Sequence, residues 1–389
     1  MYTGQLVFPQ LMDFLPKHQF DSCVRHYRGN FRVREFSCFD QFLCMAFAQL
    51  TGRESLRDIE TCLRAMQPKL YHAGFRGRVS RSTLADANEQ RDWRIYADFA
   101  QVLIQTARAL YADEEFGVDL EQTAYVLDST TIDLCLSLFP WAHFRRHKAA
   151  IKLHTLMDLR GSIPCSVHVT HGKTSDLKML DEIIPEPGAF YIMDRGYIDF
   201  ARLYALAQSL AYFLIRSKDK VIYTRVSRAP VDKSTGLRSD LTVRLTGPLS
   251  SERYPAPLRC VRYFDAETDR RFIFLTNNFA LPALIVARLY RCRWQVELFF
   301  KWIKQHLRIK AFFGTSQNAV KTQVWIGISI YVLVAIIKKE LRIQRPLSEI
   351  LQILSISLFE KVPMAQALTT NGPQNPKLGC HNQLPLFDF

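Results

Sequence analysis

The chain has 389 residues, 48% apolar and 23% charged, the balance of a globular protein rather than a disordered or fibrous one. No run of about 18 apolar residues is present, and Met1–Gln10 lacks a basic-then-apolar leader, which argues against a spanning helix or a secretory signal. The nine cysteines are scattered, with no Cys-x-x-Cys pair, and read as reduced thiols in a cytoplasm rather than as a zinc site.

Residues 1–120 read as a helical region, with helices predicted over Phe39–Leu50, Ser55–Met66, Ser82–Asp92 and Trp93–Leu110. Gly52 suits the end of the first, and Ser55 can cap the second. The stretch Ser80–Arg91 reads as a capped helix exposing Arg81, Asn88 and Arg91. A helix-turn-helix reader of DNA and an ordinary helical bundle both fit it. The pattern then changes. Tyr125–Asp128 is a short apolar strand ending in an acid, and further strands are expected over Thr131–Leu136, Ile151–Leu159 and Ile163–Thr170. A helix over Ser175–Ile184 precedes a second apolar strand, Ala189–Asp194, again ending in an acid. A helix (Phe200–Leu210) and a strand (Tyr212–Arg216) follow. Antiparallel-type strands followed by alternating helix and strand form an α/β pattern, in the order of an RNase H-like sheet.

From 218 to 279 the helical period disappears, and Val, Thr, Tyr and Arg alternate with turn residues, as in a β-rich insertion. A long helix, Ala280–Leu307, is expected next, then helices over Ala319–Lys339 and Leu347–Leu358. The Asn, Pro and Gln-rich stretch 366–389 reads as a disordered tail. The expected organisation is therefore an all-helical DNA-binding domain (1–120), the first part of an RNase H-like core (121–217), the insertion (218–279), the rest of the core (280–365) and the tail. Charge follows this division. Residues 1–120 hold 15 Lys+Arg and 15 Asp+Glu, whereas 121–389 hold 36 against 22 and so carry the whole formal excess of +14. A polyanionic partner for the second part follows from that asymmetry.

Between 290 and 304, one carboxylate stands among cations and aromatics. On a continuous helix Tyr290, Arg293, Glu297 and Lys304 share a face. Asp128 and Asp194 each close an apolar strand, where an acid is costly unless it has a partner. If the strands are adjacent and the Glu297 helix packs on them, three oxygen donors meet. Like charges held that close require a cation, and hard oxygen donors select Mg²⁺ or Mn²⁺. Two such ions about 3.5–4 Å apart can activate a water and stabilise the leaving oxygen of a phosphoryl displacement. Asp133, Asp158, Asp176 and Asp199 compete less well: Asp158 reads as a hairpin-turn residue and Asp176 as a helix cap.

The spacing of Tyr290, Arg293, Glu297 and Lys304 resembles the signature of the IS4-type DDE insertion-sequence transposases. Val126–Thr130 and Ile192–Tyr197 resemble that family's two Asp motifs, and the insertion and the helical N-terminal region are also traits of one of its branches. The resemblance covers roughly residues 5–360. It implies a DNA transposase that cuts and joins DNA at element ends and acts as a homodimer on double-stranded DNA in a bacterial cytoplasm, near the nucleoid. Asp128, Asp194 and Glu297 would be catalytic and metal-holding, and Tyr290, Arg293 and Lys304 would grip phosphates. Trp294 would stack on an extruded base or, alternatively, pack as a buried helix aromatic. The insertion lacks a Trp, and only Tyr223, Tyr254 or Tyr263 could take the place of the one some relatives use there. An RNase H-like nuclease without strand transfer and a silent DNA-binding descendant are the alternatives. Arg145–Lys148 and Arg291 read as DNA-backbone contacts or solvated charges. His154, His168 and His171 read as structural. In the tail, Gln383, Leu384, Leu386 and Phe387 resemble a sliding-clamp docking peptide.

Overall fold

The computed structural model describes residues 4–146, 148–217, 221–306 and 312–369. The N-terminal helices are α1 (Val7–Met12), α2 (Lys17–His26), α3 (Cys38–Thr51), α4 (Leu56–Ala65), the short α5 (Gln67–Leu70), α6 (Arg81–Gln90) and α7 (Arg94–Leu110). Their starts follow local chemistry. Ser37 and Asp40 form a reciprocal capping box on α3, Gly52 ends α3 in the left-handed region, and Ser55 and Ser80 accept from Asp58 N and Thr83 N.

The sheet has ten strands: β1 (Ala124–Leu134), β2 (His143–Arg145), β3 (Lys148–Asp158), β4 (Ile163–His171), β5 (Phe190–Met193), β6 (Tyr212–Arg216), β7 (Tyr223–Ala229), β8 (Leu237–Leu245), β9 (Leu258–Asp265) and β10 (Arg270–Thr276). β4, β3 and β1 are antiparallel neighbours, and β5 and then β6 run parallel to β1. That is the RNase H-like order. The insertion is no separate body. Its strands extend the same sheet, β6 pairing with β10 and then β9, β8 and β7 in turn. Three expectations change. Ser129, Thr130 and Thr131 do not turn; β-branched and hydroxyl side chains keep one strand going, so Asp128 lies mid-strand, where its parallel neighbour β5 stops. The helix expected over Ser175–Ile184 shrinks to a short 3₁₀ turn and one turn of helix, α8 (Met179–Glu182). After α9 (Phe200–Gln208) and α10 (Pro248–Arg253), the long helix expected over Ala280–Leu307 is two: α11 (Ala283–Arg291) and α12 (Trp294–His306).

The last described helices are α13 (Gln317–Glu340), α14 (Leu347–Ser357) and α15 (Met364–Thr369). By length and composition α13 could cross a bilayer, but 94% of its apolar window is buried inside the fold. A helix apolar all round belongs in a core, and α13 packs against α7, α3 and α6. One hydrophobic cluster therefore runs from Leu6 through the N-terminal helices to one face of the sheet and α13, while a second fills the other face between Tyr125, Tyr191, Phe213 and Leu275. The β3–β4 turn seats on α7. Gly161, at φ +69°, lies where a Cβ would come within 2.2 Å of the Tyr111 ring, so only glycine fits. The Tyr111 hydroxyl donates to Ala335 O at 2.9 Å.

Candidate active site

Side chains alternate along a strand. On β1, Val126 and Asp128 face the α11–α12 side, while Leu127 and Ser129 face the opposite cluster. Asp194 follows directly on β5, whose Met193 pairs with Leu127, so the two carboxylates stand at neighbouring strand positions. Asp128, Asp194 and Glu297 all line one cleft of about 550 Å³, together with Ser129, Thr130, Arg293, Phe300, Lys301 and Lys304.

The break between α11 and α12 sets the geometry. At Cys292 and Arg293 the backbone bonds tighten, Arg293 N–H donating to Tyr290 O (3.1 Å) and Val296 N–H to Arg293 O (3.2 Å). No Gly or Pro announces this. Arg293 thereby reaches between two acids, donating from Nη1 to Asp128 Oδ2 (2.6 Å) and from Nη2 to Glu297 Oε1 (2.7 Å). Its Nε is buried without a hydrogen-bond partner. Asp128 Oδ1 accepts from Ser129 N–H at 2.8 Å. Burial pushes the Asp128 carboxyl up; Arg293 pulls it down, and Glu297 and Asp194 push it up again. The net rise comes first from burial, with the two neighbouring acids working against Arg293.

Tyr290 departs from expectation. It is 8% exposed, packs 4.7 Å from the Phe274 ring and donates to Asp194 Oδ1 at 3.1 Å. Burial, then the Asp194 charge, push its phenol well above the usual range. Its hydroxyl thus holds one of the acids of the cleft. Lys304 is exposed on the cleft rim, as is Lys301, which the sequence reading missed although it lies four residues after Glu297. Trp294 is 59% exposed and does not line the cleft, which removes the buried-aromatic alternative. Of the insertion tyrosines, Tyr254 is buried against Tyr204 and cannot reach a base, and Tyr223 bonds with Arg262.

Elsewhere, of the three side chains expected on the surface of the candidate DNA-reading helix, only Arg81 is exposed. Asn88 is buried and accepts from Gln41 Nε2, while Arg91 donates to Ser37 O, Phe36 O and Gln41 Oε1. These side chains close a core network because the helix packs that face onto α3. Arg291 pairs with Glu267, whereas Arg145, Arg146 and Lys148 are exposed; His147 lies outside the described residues. Asp133 is exposed, Asp199 caps α9, and Asp158 accepts from Arg160 N–H in its turn. Asp176, read as a cap, instead accepts from Ser129 Oγ at 2.6 Å. His154 is buried beside it, His168 bonds Ser166, and His171 packs on Trp141.

Residues 119–333, more than half of the chain, match the family model described as the transposase DDE domain. This chain belongs to the DDE transposases. The family acts on DNA as cleaving and transposing enzymes that generally use divalent metal ions. Residues 3–76 match a model described as a domain of unknown function. A putative transposase of Sinorhizobium fredii is 32% identical over 297 residues, covering 75% of this chain and 81% of that one. A putative transposase of insertion sequence element IS4SA from Synechocystis is 24% identical over 326 residues, covering 82% and 88%. Among solved structures, a piggyBac transposase synaptic complex with hairpin DNA aligns with TM-score 0.47 and 9% identity, over 92% of this chain and 80% of that one.

The donor set suits a divalent cation: three hard carboxylates line one cleft, and Asp128 is crowded by the other two. Arg293 stands among them, and no group of three His, Cys, Asp or Glu is preassembled as a metal site among the described residues.

Proposed function

We propose that this DDE transposase cuts DNA at the ends of an insertion sequence and joins the freed end to a target, with Asp128, Asp194 and Glu297 as its catalytic acids. The observation that carries the reading is the convergence of these three residues, from mid-β1, the end of β5 and α12, on one cleft rimmed by Arg293, Lys301 and Lys304. The three acids would hold two Mg²⁺ or Mn²⁺ ions, whose chemistry when bound is to activate a water and stabilise the leaving oxygen. The chain's own residues do the rest. Tyr290 fixes Asp194 by its hydroxyl bond, and the Ser129 amide fixes one oxygen of Asp128. Arg293 offers a planar fork that suits a phosphate as well as it suits the carboxylates it now bridges. Lys301 and Lys304 add point charges for the backbone on either side of the cut. Trp294, exposed beside Arg293, would stack on a base; its exposure supports that reading.

The same reading gives the N-terminal helices a share in holding DNA. Support comes from a cleft of about 670 Å³ lined by Arg28, Arg34, Arg78, Arg91 and the exposed Phe31, although Glu35, Asp40, Asp86 and Asp92 line it too and balance its charge. Cutting two ends in concert calls for a homodimer on DNA, in a bacterial cytoplasm at the nucleoid. The clamp-docking peptide at Gln383, Leu384, Leu386 and Phe387 lies outside the described residues. Deleting 381–389 should abolish retention on immobilised clamp, and unchanged retention removes that partner.

The deciding experiment is Glu297→Gln on a labelled element-end duplex with Mg²⁺. We expect cleavage to vanish while DNA binding persists; persisting cleavage would overturn the site. Strand-transfer products from the wild type separate a transposase from a plain nuclease.

A further inference from the structure

Behind the catalytic face of β1 lies a second polar nest that the proposed chemistry does not use. Ser129 points away from the cleft, and its Oγ donates to Asp176 Oδ1 at 2.6 Å. The same oxygen accepts from Lys152 Nζ at 3.2 Å and lies 3.4 Å from His154 Nδ1. His154 is 1% exposed, and its Nε2 pairs with Thr170 Oγ1 at 2.9 Å; Lys152 also donates to Thr174 O at 2.9 Å. Strand register explains the grouping: Ser129 opposes His154 and Thr131 opposes Lys152 on β3. The turn that carries Asp176 packs against the turn at 195–197, where Tyr197 is buried and its amide donates to Asp194 O at 3.0 Å. Burial alone would raise the Asp176 carboxyl, but the nearby His154 ring and the bonds from Ser129 and Lys152 reverse this and hold it well below the ordinary range. The anion is thus fixed: it is bonded to the residue that follows Asp128, and its turn packs against the turn that follows Asp194.

We infer that Asp176 is a positioning residue for the transposase reaction, holding Asp128 in register through Ser129 and bracing the Asp194 turn through Tyr197. This rests on the assignment of those acids. Partners one step behind a metal ligand typically change affinity or rate by about 10–100-fold when removed. Ser129→Ala breaks the link and leaves the charges of the nest paired, so it should fold. We expect it to lower the cleavage rate at saturating DNA by about 10-fold and to raise the Mg²⁺ concentration for half-maximal rate by a similar factor. DNA affinity and melting temperature should stay at wild-type values. Asp176→Asn should act at least as strongly, and the double variant should be no worse than the worse single one, because both cut one link. An unchanged Mg²⁺ requirement or additive losses would overturn the inference. Mn²⁺ binding followed by electron paramagnetic resonance tests it without turnover: Ser129→Ala should bind about 10-fold more weakly, and equal binding overturns it. A wild type that binds Mn²⁺ in this Ser129-dependent way but never cuts element ends would refute the transposition reading and leave the positioning role standing.

Discussion

Two polar clusters in this molecule use nearly the same parts. In the N-terminal helices, Arg91 lies among Ser37 O, Phe36 O and Gln41 Oε1, with the Tyr96 phenol donating to Gln41 at 2.7 Å and the Gln41 amide donating to Asn88. In the cleft, Arg293 lies between Asp128 and Glu297, with the Tyr290 phenol donating to Asp194. In the first cluster a half-buried arginine is saturated by neutral acceptors, although it borders the N-terminal cleft. The second faces a cleft with an arginine nitrogen unpartnered and a carboxyl raised by burial and its neighbours. A fold that needs rigidity satisfies its buried groups mutually; a site that must take up a charged substrate keeps charge unbalanced.

That contrast can be broken by substitution. The largest effect should come from Asp194→Asn: cleavage should fall by at least about 1000-fold, the several kcal/mol that metal-assisted phosphoryl transfer supplies, with the thermal midpoint hardly moved. Cleavage above a tenth of wild type would place Asp194 among structural acids. Arg91→Ala should do the reverse, costing about 3 kcal/mol in denaturant unfolding because three part-buried acceptors lose their donor. The folded fraction should cut DNA at the wild-type rate; slower cutting would mean that the first cluster reaches the site. Arg293→Lys keeps charge but loses the fork, and should lower cleavage about 10-fold, sharpening the distinction between counter-ion and shaped donor. Tyr290→Phe retains the tilted ring contact with Phe274 and loses one bond, so stability should change by about 1 kcal/mol and turnover by a few-fold at most. Trp294→Ala, at an exposed position, should stay within about 0.5 kcal/mol in stability. A larger loss would show that Trp294 packs rather than reads DNA.

Much of this was legible in the chain. The RNase H-like order follows from apolar runs separated by short turns, and β6 falls where Tyr212–Arg216 was read. The three acids stood out because each interrupts an apolar or cationic context. What stayed hidden depends on tertiary contact. Nothing local distinguishes Asn88 and Arg91, which face α3, from a surface pair. The break at Cys292–Arg293 has no breaker residue, since packing of Tyr290 against Phe274 and Asp194 decides it. Asp176 looked like a cap because its partners Ser129, Lys152 and His154 come from other strands.

The two ends of the described chain are joined. The Val7 and Phe8 amides donate to Glu360 O (3.1 Å) and Leu358 O (2.9 Å), and Gln10 bonds both Val362 O and Met364 N. Asn318, at the start of α13, holds the carbonyls of Asn88 and Arg91. The N-terminal helices α1–α7 therefore cannot finish folding until α13 and the segment at 358–364 have been made. Folding thus includes a closing step of high sequence separation, slow by the logic of contact order. An element interrupted anywhere upstream of α13 would yield a product with its central seam open, prone to proteolysis rather than to partial activity.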